Sequence, residues 1–69
     1  MQRVGVTDGT ALVREVLAGL TPEHRAVLVL RDLADMSESE IVGLLGVPVG
    51  TVKSRLHRAR QAFRSRWST

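Results

Sequence analysis

"MSESEIVGLLGVPVGTVKSRLHRAR", residues 36–60, holds two helix beginnings and one helix end. Ser37 precedes Glu40 by three positions, the capping-box spacing in which each side chain satisfies a backbone N–H at a helix start. Ile41, Leu44 and Leu45 then supply an apolar face, and Gly46 closes the helix as a left-handed cap. Val47-Pro48 does not extend it easily, because proline disfavours helical geometry in the residue before it. The helix is therefore only about two turns long, and another starts about three residues later.

That next helix is expected over about 49–66. Its apolar positions Val49, Val52, Leu56, Ala59, Phe63 and Trp67 are spaced three, four, three, four and four, a continuous stripe at the helical period. At about 100° per residue, Gly50, Ser54, His57, Arg58, Gln61 and Ser65 fall on the opposite face. Lys53, Arg60 and Arg64 flank the stripe on one side, Arg55 and Arg66 on the other. A short capped helix, a tight glycine turn and a longer basic helix form a helix-turn-helix pattern over about 37–66. Any antiparallel helix pair with a glycine turn has this spacing; the basic second helix is what points to DNA.

Two further helices are expected upstream. Leu12, Val13, Val16, Leu17 and Leu20 recur at helical spacing from Thr10, with Thr7, Asp8 or Thr10 as candidate caps and Gly19 as the fraying end. Residues 1–9, framed by Gly5 and Gly9, are expected to form a flexible lead to a domain spanning 10–69. Thr21-Pro22-Glu23 opens the second helix: the hydroxyl caps, proline sits where no donor is needed, and the acid meets the positive helix end. Ala26, Val27, Leu30 and Leu33 form its stripe, with Leu28 near the edge, and it is expected to end near Ala34 or Asp35. The fold class is thus all-α: a small four- or five-helix domain containing a helix-turn-helix.

Charge is segregated along the chain. Residues 1–46 carry a formal charge of −3, whereas 47–69 carry +6 with no acid at all. A block of this kind suits a polyanion, the alternative being a solvated basic helix face. Without cysteine there is no disulfide framework or zinc–thiolate site. His24 and His57 lack a carboxylate constellation, so neither a metal nor another cofactor is expected. No nucleophile–base set or phosphate-cradling loop appears, and capping accounts for Ser37 and Glu40, so an enzyme is not expected. The longest strictly apolar run, Ala26 to Leu30, is too short to span a bilayer and the N-terminus has no signal-peptide core; a cytoplasmic protein with no membrane role is expected.

The segments "LTPEHRAVLVLRDL" (20–33), "MSESEIVGLLGVPVGTVKSRLHRAR" (36–60) and "QAF" (61–63) resemble region 4 of bacterial sigma factors, most closely the extracytoplasmic-function group. Gly50-Thr51-Val52, Ser54-Arg55 and Arg58-Ala59-Arg60 are the most specific part of the likeness. Two positions depart from it: Val42-Gly43 stands where alanine and a polar residue are more usual, and Glu38 where an aromatic is frequent. The resemblance implies that the last helix reads the −35 element of double-stranded promoter DNA while the domain sits on the beta flap of RNA polymerase. An anti-sigma factor or activator is a further implied partner. It also implies a separate region 2, which 69 residues do not hold, so the chain is expected to be the C-terminal domain of a longer factor.

Site residues follow from helical phase and from this likeness. Ser54, His57 and Arg58 are expected to contact bases, Arg58 by a bidentate bond to guanine. Thr51, Lys53, Arg55, Arg60 and, less centrally, Arg25 are expected to contact phosphates. For Arg55 and Arg60 the alternative is internal pairing with Asp32, Asp35 or Glu40. For the whole chain, the alternatives are a response-regulator-type helix-turn-helix and a protein-interaction module whose basic helix docks an acidic protein.

Overall fold

In the computed structural model, which describes residues 4–67, the helix boundaries have local causes. The elements are α1 (Val4–Ala18), α2 (Pro22–Leu28) running on as a π-helical segment (Val29–Leu33), α3 (Glu38–Leu45) and α4 (Val49–Trp67). No strand occurs among the described residues. Thr21 caps α2, its hydroxyl accepting from the His24 N–H at 3.3 Å, with Pro22 in the first turn. At α3 the capping box is complete. The Ser37 hydroxyl accepts from the Glu40 N–H at 3.0 Å, and the Glu40 carboxylate accepts from the Ser37 N–H at 2.8 Å. Gly46 ends α3 at φ 69°, ψ 32°, a left-handed conformation that costs glycine nothing.

Two expectations are corrected. The first helix starts at Val4 instead of Thr10, so residues 4–9 of the expected lead are helical; residues 1–3 lie outside the described residues. Gly5 and Gly9 weaken a helix by about 1 kcal/mol each but do not break it. Second, Leu28 is in the core while Leu33 is 62% exposed. In α3 it is Ile41 that is buried and Leu44 that is 61% exposed. The second helix stops where expected, near Ala34 and Asp35, in a wide turn with the Ala34 N–H donating to the Val29 carbonyl at 2.9 Å and Asp35 left-handed at φ 58°.

Leu20, Val27, Leu28, Ile41, Val52, Leu56 and Ala59 form the core. Leu17, Leu30, Met36, Val42, Leu45, Val47, Ala62 and Phe63 pack around it. Helix α2 lies against α4 along much of its length, and of the expected stripe Ala26, Val27, Leu30 and Leu33 only Val27 is fully buried, with Leu28 beside it. Ala59 is fully buried, and its small side chain suits close packing in the middle of α4. At the C-terminal end Trp67 is half exposed and stacks on Phe63, ring centroids 5.7 Å apart and planes 14° from parallel.

Candidate nucleic-acid interface

The seating of α4 decides which of its side chains reach solvent. Val52, Leu56 and Ala59 are buried to 3% exposure or less, which locks the helix phase. Gly50, Ser54, His57 and Arg58 consequently face outward and are exposed, as their positions on the helical wheel require. Pro48 precedes the helix, and its carbonyl accepts from the Thr51 and Val52 N–H groups at 3.0 and 3.2 Å. The N–H groups of Val49 and Gly50 have no intrahelical acceptor, so α4 presents open donors and the positive end of its dipole beside these side chains.

The two shoulders of α4 differ. On one, Arg55 and Arg58 make no hydrogen bond or ion pair with another described residue. They line an open groove of about 550 Å³ with Thr51, Ser54 and Gly50 from α4 and Thr21, Glu23 and His24 from the start of α2. On the other shoulder, acids from neighbouring elements meet the cations. Arg60 grips Asp32 bidentately, Nε to Oδ2 at 3.1 Å and an Nη to Oδ1 at 2.6 Å. The Lys53 ammonium lies 3.6 Å from the Glu38 carboxylate.

These pairings leave their mark on protonation. The Arg60 hydrogen bond holds the Asp32 carboxyl below its ordinary range, outweighing the opposing effect of burial, and the same bond raises the Arg60 guanidinium. Glu40 is lowered by the backbone N–H and side chain of Ser37 in the capping box.

Each expected contact residue thus has a definite setting. Ser54, His57 and Arg58 are brought together on one exposed face, with Thr51 and Arg55 half-buried along its α2 side. Lys53 is exposed but paired. Arg60 takes the setting of its alternative, internal pairing with Asp32, so a phosphate contact there would compete with that pair. Arg25 is turned toward the end of α1, donating to the Ala18 carbonyl at 3.3 Å and the Leu17 carbonyl at 3.5 Å, where a cation suits the negative helix end. It is a helix cap and does not join the groove. Thr21 and His24 were not expected at the interface; their place there depends on α2 packing against α4, for which the linear sequence carries no signal.

The sigma-70 region 4 family model matches residues 10–63, most of the described helices. This chain belongs to the sigma-70 region 4 family. Within it, the chain is similar to extracytoplasmic-function factors. It is 48% identical over 52 residues to the ECF RNA polymerase sigma factor SigE of Mycolicibacterium smegmatis, covering 75% of this chain and 20% of that protein. It is 48% identical over 54 residues to the RNA polymerase sigma-E factor of Streptomyces coelicolor, covering 78% and 30%. It is also 40% identical over 52 residues to the ECF RNA polymerase sigma factor SigW of Bacillus subtilis, covering 75% and 28%. The chain therefore spans between a fifth and a third of these relatives' lengths. The match takes in most of α1, all of α2 and the capped α3, the Gly46 turn and the basic α4 as far as Phe63.

Proposed function

We propose that this region 4 domain binds double-stranded promoter DNA at the −35 element as part of an extracytoplasmic-function sigma factor, supporting transcription initiation in the cytoplasm. It acts by binding, with no catalytic step of its own. The observation that carries this reading is the outward face of α4, where Ser54, His57 and Arg58 stand exposed beside the uncommitted Arg55. Arg58 is assigned to a base edge, with Ser54 and His57 beside it, and Arg55, Thr51 and the open N–H groups of Val49 and Gly50 to phosphates. Lys53 contacts phosphate only by leaving or sharing Glu38.

A second surface supports protein partners. Val13, Leu17, Leu28, Leu33 and Phe63, together with Asp32, Arg60 and Arg64, line a largely apolar hollow of about 300 Å³ on the side made by α1, α2 and α4. We assign it to the polymerase beta flap, with an anti-sigma factor or activator as its competitor. Polymerase attachment raises the effective concentration of the domain at the promoter, so weak binding by the domain alone suffices.

The test is footprinting by polymerase carrying a factor that ends in this domain, on a promoter duplex and on one with a scrambled −35 element. Protection confined to the intact element is expected. Equal protection of both duplexes overturns the reading.

A further inference from the structure

Among the described residues the acids that form ion pairs with α4 lie on one shoulder, Glu38 at its N-terminal half and Asp32 further along, while Glu23 lines the groove on the other shoulder without an ion pair. Glu38 opens α3 and reaches across the helix-turn-helix to Lys53, carboxylate to ammonium 3.6 Å, with Lys53 64% and Glu38 36% exposed. Its field extends further along the same shoulder. The Arg60 guanidinium is raised first by the Asp32 hydrogen bond, and the Glu38 charge adds to this. Arg55 and Arg58, on the other shoulder, face no such acid in an ion pair. We infer that Glu38 is an affinity-limiting residue of the DNA interface: by pairing with Lys53 it makes phosphate contact on that shoulder compete with a carboxylate. The inference rests on the DNA-binding function proposed above and concerns how that same face is tuned.

The physical consequence is selective. A phosphate that approaches Lys53 meets a fixed negative charge within about one Debye length, so contacts that carry no sequence information are weakened. Base reading through Arg58, on the far shoulder, is left largely untouched. Glu38 thereby lowers binding to all duplexes alike and keeps the share of binding energy that depends on sequence high. The pair is exposed and adds little to the fold, so its removal is felt at the interface more than in stability.

The experiment uses the 69-residue chain at about 50 mM salt, where charge contacts are least screened, with a −35-type duplex and a random duplex. Glu38→Gln keeps the side-chain length and removes the charge. It is expected to tighten binding to both duplexes by about threefold to tenfold and to steepen the log–log salt dependence by about 0.9, one additional phosphate contact. In a Lys53→Gln background the same change is expected to give no increase in slope, while the melting temperature moves little in either background. Unchanged or weaker binding by Glu38→Gln, or an equal gain without Lys53, overturns the inference while leaving the proposed function standing. If polymerase carrying a factor that ends in this domain protects an intact and a scrambled −35 duplex equally, the proposed function fails and the inference falls with it.

Discussion

Three cations a few residues apart on α4 are expected to behave differently when removed. Arg58 is exposed, uncommitted and on the outward face, so Arg58→Ala is predicted to cost about 1–3 kcal/mol on the preferred duplex and little on a random one. Lys53→Ala is predicted to weaken both alike and only slightly, because Glu38 already competes for its ammonium and a phosphate contact carries no base information. Fluorescence anisotropy with the two duplexes separates the cases, and equal losses for Arg58→Ala would refute its base-reading role. Arg60 belongs to the fold through Asp32. Because the folded-state Asp32 carboxyl is lowered, its contribution is present at neutral pH and is lost as pH falls below about 4, where protonation is favoured in the unfolded chain first. Glu40, lowered by Ser37, acts in the same direction. Arg60→Ala should therefore lower the urea midpoint at pH 7 by the equivalent of about 1 kcal/mol or less, as the pair is exposed, and by less at pH 3.

At the level of the element, α3 is the weak link, because a two-turn helix depends on its ends. Ser37→Ala removes the capping box and is predicted to cost about 1 kcal/mol of stability. The two glycines of α3 and its turn should respond in opposite senses. Gly46 is left-handed at φ 69°, so Gly46→Ala is predicted to destabilise by about 1–2 kcal/mol although nothing lies within 4 Å of the added carbon. Gly43 is helical with equally open space around it, and Gly43→Ala is predicted to stabilise by up to about 1 kcal/mol. Thermal melts of the three variants check these signs. The caps and the ends of α2, α3 and α4 were readable because they are set by residues within one turn. The π-helical form of that last turn of α2 was not, because no glycine, proline or cap within Val29–Leu33 marks the change.

For the whole molecule, the distribution of charge matters more than its net value. The chain from 47 to 69 carries six basic side chains, but Arg60 and Lys53 are paired with acids and Arg64 and Arg66 have partners of their own. The Arg66 guanidinium packs against Gly19 at the end of α1, close to where Arg25 caps the same helix. Arg55 and Arg58 remain for the proposed DNA face. The log–log salt slope of binding is accordingly predicted at about −2 to −3, well short of the about −5 that six phosphate contacts would give. A titration series across salt concentrations measures it, and a slope near −5 would mean that the internal pairs open on binding.

The sequence by itself determined where the helices start and stop from Thr21 onward, the inward phase of Val52, Leu56 and Ala59, and hence the outward placing of Ser54, His57 and Arg58. All of these depend on contacts within one or two turns and on a period the chain carries with it. Only the tertiary structure decided which cations are paired with acids. Asp32 and Arg60 are 28 positions apart, and Glu38 meets Lys53 across a turn, so their pairing exists only once α2 and α3 are docked on α4. The helical period says which way a side chain points; it takes the packed helices to say what charge it meets there.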